Sequence, residues 1–287
     1  MRLVFVSFLS VIFITACGGS ATSSNGAREV LVDDIEPSNF TDLDDLGGRV
    51  VLNQSFTSQL TGVAYPYHFY LPSSYDNNTD QDYQVLYGLD AQWTFPGFVQ
   101  EIDKKNRQMI FIGIEEGPLG SNRRLIDYII PGVELYFSFF IQEFMPYIES
   151  TYRISDLERS FQGTSAGGNT ATAAIFLDDA INPIFKSYII YDAALWHEPG
   201  LMNELIQRRF NINTVFDADI YVTTATNFGN HDAVESFFDE FKLREYTGID
   251  FLELSYPVTH DEIAPASFPT SLSAIYGATG PDSGTQR

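Results

Sequence analysis

The residues best suited to chemistry lie in "RSFQGTSAGGNTATAAIF", residues 159–176, where Gly163, Ser165 and Gly167 form a Gly-x-Ser-x-Gly pattern. A chain of this length produces roughly 0.1 such patterns by accident, so the pattern needs support from its surroundings. A serine hydroxyl is a weak nucleophile until a neighbouring base takes its proton. Histidine is the usual base, and the chain has four. His68 sits in an early strand-like run, His197 and His231 fall in middle loops, and His260 follows the last strand-like run, in "SYPVTHDEIAPASFPTSLSAIYG". A carboxylate that orients the base would complete the set.

The elements that must position these groups can be read from hydropathy. "RVVLNQSF" and "YPYHFYLP", within residues 49–72, predict an antiparallel opening pair. "QVLYGL" (84–89) and "MIFIGI" (109–114) are nearly continuous apolar runs, as in strands buried on both faces. "ELYFSFFIQEFMPYIESTY" (134–152) has helical period and length. "RSFQ" leads into the serine pattern as a strand, and "TATAAIF" leaves it as a helix. "KSYIIYDA" (186–193), "DIYVTTA" (219–225) and "DFLELSY" (250–256) predict further strands. "LMNELIQRRF" (201–210) and "DAVESFFDEFKLREY" (232–246) predict helices between them, and a short helix near "PTSLSAIYG" closes the domain. This alternation predicts an α/β fold with a mostly parallel central sheet and helices on both faces. Ligands bind such a sheet at the carboxyl ends of its strands, where Ser165 is expected.

The 287 residues are 44% hydrophobic and 15% aromatic, enough for one large core. A net charge of −22 argues against nucleic acid and against electrostatic docking on anionic lipid. No metal-ligand cluster or phosphate loop is evident, and no cofactor is expected. The chain opens "MRLVFVSFLSVIFITACGGSATSSNG": Arg2 is a short cationic region, and Leu3–Ile14 is an apolar stretch too short for a comfortable membrane span. Ile14-Thr15-Ala16-Cys17 resembles the lipobox of bacterial lipoproteins. That resemblance implies a signal peptide over 1–16, lipidation of Cys17 and a place in the bacterial cell envelope, with the outer membrane favoured by Gly18. Cys17 is the only cysteine, so the mature domain has no disulfide. Residues 17–30 read as a flexible tether, 31–278 as the folded domain and 279–287 as a disordered tail.

A strand–Gly-x-Ser-x-Gly–helix unit in such a sheet is the nucleophile elbow of α/β-hydrolases, whose triads run in the order serine, acid, histidine. From about residue 50 to 277 the chain resembles the putative-esterase family of that fold, which includes esterase-D-like enzymes, siderophore-ester hydrolases, feruloyl esterases and mycolyl transferases. The resemblance rests on "YHFYLPSSYD", "YQVLYGLDAQWTF", "RRLIDYIIP", "FIQEFMPYIESTYRI", "GTSAGG", "IIYDAALWHEPG" and "THDEIAPASFPTSLSAIYG", in order. Ala91 stands where the family usually has glycine.

The resulting expectation is a serine esterase that cleaves a small or oligomeric ester through an acyl-enzyme. Ser165 is the nucleophile and His260 the base. The backbone N–H of Ala166 is one oxyanion donor, and the resemblance implies that of Gln92 as the other. Trp93, Phe95 and Trp196 are candidates for an aromatic substrate wall, with core packing as the competing role. Arg123 and Arg124 read as structural or solvated, with contact to an anionic substrate group as the competing role. For the acid, the family often has Asp or Glu directly after the strand "DIYVTTA". Thr226, Asn227 and Phe228 stand there instead, and the first carboxylate is Asp232. Asp232-Ala-Val-Glu235 also has capping-box spacing, so a helix cap is the competing role for that residue. Too few residues separate the strands at 186–193 and 219–225 for a large lid domain, which predicts an open cleft. An acyl transferase using the same serine, and a catalytically impaired binding lipoprotein that keeps the fold, are the alternatives.

Overall fold

The structure is a computed structural model and describes residue 40 and residues 43–277. The expected signal peptide, Cys17, the tether and the 279–287 tail lie outside the described residues.

Eight strands form one sheet in the order β1-β2-β4-β3-β5-β6-β7-β8. β1 (Arg49–Thr57) pairs antiparallel with β2 (Ala64–Leu71), which pairs antiparallel with β4 (Ile110–Ile114). β3 (Tyr83–Gly88), β4, β5 (Ile154–Thr164), β6 (Ser187–Tyr191), β7 (Val215–Asn227) and β8 (Thr247–Thr259) run parallel. The apolar runs that predicted central strands are buried throughout β4 and β6, because helices cover both faces.

α1 (Ala91–Lys104) and α8 (Ile263–Tyr276) cover one face, where Phe98 stacks on Phe268 at 4.1 Å. On the other face, α3 (Gly132–Phe139) runs through a π-helical turn at Phe140–Phe144 into α4 (Met145–Glu149). α5 (Ala166–Leu177), α6 (Pro199–Ile212) and α7 (His231–Lys242) complete that layer. The short α2 (Arg124–Asp127) lies between β4 and α3. The expected helix over 134–152 is thus one apolar face with a π-turn in its middle. α1 is an addition to the expected elements, since Pro96 and Gly97 interrupt its sequence. Only α6 lies between β6 and β7, and no lid domain is inserted there. No helix among the described residues is long and apolar enough to cross a membrane.

Candidate active site

β5 ends at Thr164 and α5 starts at Ala166, which leaves Ser165 alone to make the turn. Its backbone takes φ 58 and ψ −115, a conformation that an L-residue adopts at a cost of about 1–3 kcal/mol. The surroundings enforce it. Ser165 N–H donates to the Tyr191 carbonyl at 2.9 Å, and the Ser165 carbonyl accepts from Asn169 and Ala194 N–H, both at 2.9 Å. The flanking glycines make the close approach possible. A Cβ on Gly163 would lie 2.1 Å from the Gly167 carbonyl oxygen, and one on Gly167 would lie 2.8 Å from Asp90 Oδ2.

His260 opens a 3₁₀ turn, His260–Glu262, between β8 and α8. A Thr259–Glu262 capping box fixes that turn, with Thr259 N–H donating to Glu262 Oε2 at 3.0 Å. His260 and Ser165 line one open cleft of about 450 Å³, together with Asp90, Trp93, Arg124 and Pro265. His260 Nδ1 donates to Asp192 Oδ2 at 2.6 Å. A carboxylate can only accept, so the proton sits on Nδ1 and Nε2 is left with its lone pair. The Asp192 hydrogen bond raises the His260 pKa above its ordinary 6.5; burial opposes this, and the Asp192 charge adds to the rise.

Asp192 follows β6 directly and is fully buried. Its own backbone is left-handed, at φ 43. Oδ1 accepts the Ala225 N–H at 3.0 Å, and Oδ2 accepts the Asn230 N–H at 2.9 Å. The end of β7 and the segment after it, where the sequence predicts the acid, therefore supply donors to a carboxylate that stands one strand earlier. Gly229 leaves the space for it, since a Cβ there would meet the Ala225 carbonyl oxygen at 2.3 Å and Asp192 Oδ2 at 2.7 Å.

Asp232 is not the carboxylate at His260. It lies in the first turn of α7, and Asp192 occupies Nδ1. It does not cap α7 either: the N-cap position belongs to Asn230, two residues upstream. The carboxylate placed directly after "SYIIY" was the available signal for Asp192, because the carboxyl end of a parallel strand points into the ligand crevice.

Ala166 is the first residue of α5 and Gln92 the second of α1. N–H groups in a first helical turn have no intrahelical acceptor, and both residues hold such positions. Asp90, at the head of α1, is fully buried and would repel an anion formed there. Arg124 neutralises it with two hydrogen bonds, Nε to Oδ1 at 2.8 Å and Nη2 to Oδ2 at 2.9 Å. Burial works against the Arg124 charge, but the Asp90 partner outweighs it and raises the Arg124 pKa. The same Nη2 donates to the Thr164 carbonyl at 3.1 Å, so one guanidinium joins the head of α1 to the residue before Ser165. Arg123 pairs with Asp127 and takes no part in the cleft.

The three expected aromatics separate. Trp93 is 63% exposed and lines the cleft, with the Arg124 guanidinium 5.4 Å from its ring. Trp196 is 62% exposed and donates its indole N–H to Asn230 Oδ1 at 3.0 Å. Phe95 is fully buried among Phe40, His68 and Phe111 and touches no ligand space. The spacing Phe95, Phe98, Val99, Ile102 is one face of a helix and signals this core role. Of the remaining histidines, His68 is buried against Glu115, and His231 Nδ1 bonds Thr224.

A mostly parallel sheet with helices on both faces, a strained serine on the strand–helix turn and a histidine after the last strand define an α/β-hydrolase. The family model described as "Putative esterase" matches residues 58–176, a segment that contains the elbow and marks the chain as a carboxylic-ester hydrolase. Among solved structures, the chain is similar to an IroE-like serine hydrolase from Shewanella oneidensis, at 21% identity and TM-score 0.63, over 78% of this chain and 79% of that one. It is similar to the BES protein from Bacillus cereus, at 20% identity and TM-score 0.65, over 79% and 94%. It is also similar to the siderophore hydrolase EstB from Aspergillus nidulans, at 16% identity and TM-score 0.64, over 83% and 97%. At these identities the likeness establishes a common fold. Among curated protein sequences, none matches the chain.

Proposed function

We propose that the protein is a serine esterase with Ser165, His260 and Asp192 as its triad. The observation that carries this reading is the 2.6 Å hydrogen bond that the buried Asp192 accepts from His260, which lines one cleft with Ser165. His260 Nε2 takes the Ser165 proton as Oγ attacks the ester carbonyl. The negative charge on the tetrahedral oxygen is held by the Ala166 and Gln92 N–H groups, with Asp90 silenced by Arg124. Collapse expels the alcohol, which receives the proton from His260, and leaves an acyl group on Ser165. Water, deprotonated by His260, then releases the acid and restores the serine. The reading as a binding protein rests on the lack of an acid after β7, and the Asp192–His260 hydrogen bond favours the enzyme over it.

The cleft is open and bears the exposed Trp93 face, which favours soluble esters with a flat or bulky group. The test is Ser165→Ala on the soluble domain with p-nitrophenyl butyrate and a fluorophosphonate label. Both turnover and labelling are lost, by on the order of 10⁶ in kcat for the former. Turnover at the wild-type rate refutes the serine mechanism. Alcohol added to the assay separates hydrolysis, whose product is the free acid, from transfer, whose product is a new ester. We further propose that Cys17 carries lipid and holds the domain, residues 31–278, at the bacterial cell envelope. The basis is the lipobox-like sequence ahead of it.

A further inference from the structure

We propose that Asn230 is a positioning residue that fastens the exposed indole of Trp196 to the acid Asp192. The proposal rests on Asp192 being the triad acid. Asn230 stands at the N-cap of α7, and its carbonyl accepts from Ala233 and Val234 N–H, both at 3.0 Å. An asparagine there normally turns its side-chain oxygen onto the first-turn N–H groups. This one makes no such bond. Its side chain is diverted instead. Nδ2 donates to the Asp192 carbonyl at 2.9 Å, and Oδ1 accepts the Trp196 indole N–H at 3.0 Å. Its backbone N–H meets Asp192 Oδ2 at 2.9 Å.

The consequence is a closed loop. Residues 192–196 begin at the acid and end at the exposed indole, and the Asn230 side chain bridges the two ends. Midway, Ala194 N–H holds the Ser165 carbonyl at 2.9 Å. The Asp192 backbone is left-handed at φ 43, a conformation that a non-glycine residue keeps only when its surroundings hold it. The Asn230 amide on the Asp192 carbonyl is one of those restraints.

The test uses Asn230→Ala, which keeps the backbone donor to Asp192 and removes both side-chain bonds, and Trp196→Phe, which removes only the indole donor. Steady-state kinetics with p-nitrophenyl butyrate are recorded from pH 5 to 9, with thermal melting as the folding control. In Asn230→Ala, kcat falls about 10-fold to 100-fold, KM stays within about twofold, and the acid limb of kcat/KM moves to lower pH as the Asp192–His260 bond loosens. Trp196→Phe lowers kcat by about threefold, moves the same limb in the same direction, and adds nothing to kcat in the double variant. An unchanged limb and unchanged kcat in Asn230→Ala overturn the proposal, even if its melting temperature falls. If Asn230→Ala does not fold, Trp196→Phe decides, and an unmoved limb there overturns it. Asp192→Asn separates the two levels. If it is silent, the triad reading fails; if it is crippled while Asn230→Ala is not, only the Asn230 proposal fails.

Discussion

Replacement of Asp192 by asparagine is the sharpest perturbation, because both oxygens of the carboxylate accept hydrogen bonds. Three donors point at it: Ala225 N–H at Oδ1, and Asn230 N–H and His260 Nδ1–H at Oδ2. An asparagine has one oxygen and one NH₂ group. With the oxygen at the Oδ1 position, the NH₂ faces Asn230 and His260, and His260 must turn its lone pair to Nδ1. Its proton then sits on Nε2, the atom that has to accept from Ser165. With the oxygen at the Oδ2 position, the NH₂ opposes the Ala225 N–H, and one buried donor goes unpaired, at about 1–3 kcal/mol of stability. Either way His260 also loses the negative partner of its charged form. The expected fall in kcat is about 10⁴, or about 5.4 kcal/mol in the barrier. The assay is kcat for p-nitrophenyl butyrate at pH 8, with Asp232→Asn alongside as a control that stays within about twofold of wild type. Asp192→Asn within about tenfold of wild type, or a collapse in Asp232→Asn, refutes the assignment.

The raised His260 pKa places the acid limb of kcat/KM above 6.5, because the base must be neutral; a limb centred below 6 contradicts the pairing. By linkage the same pair contributes stability that is fully present below 6.5 and is lost as pH rises through the folded-state pKa, which melting curves across pH will register. Arg124→Leu leaves Asp90 buried and uncompensated, so the domain loses about 3–5 kcal/mol by urea unfolding, and Asp90→Asn in the same chain restores part of it. Gly229→Ala drives a methyl group into the Ala225 carbonyl and the Asp192 carboxylate, so kcat and melting temperature fall together; retention of both shows that the 228–230 turn can yield. Cys17→Ser moves the protein from the membrane to the soluble fraction with its esterase rate intact, and continued membrane partitioning refutes the lipid anchor.

What the sequence determined by itself was local. The short, nearly continuous apolar runs of β3 and β4 match strands buried on both faces, and both are central strands of the sheet. Gly163, Ser165 and Gly167 between a strand and an Ala-rich helix signal the sharp turn, and the fold uses both glycines, since a Cβ on Gly163 would meet the Gly167 carbonyl and one on Gly167 would meet Asp90. His260 was legible because a single histidine follows the last strand. The carboxylate that pairs with His260 was not, since its identity depends on distance in space between loops that lie far apart along the chain. Asp192 and Asp232 both fall between Ser165 and His260, and chain order serves either. Only the tertiary structure brings the left-handed turn after β6 beneath the β8–α8 junction, and only there do the Ala225 and Asn230 N–H groups close on a carboxylate. The same holds for Phe95 and Trp93. They lie two residues apart, but α1 turns one into the core and the other into the cleft, and that direction was fixed by the packing of a helix whose sequence conceals it behind Pro96 and Gly97.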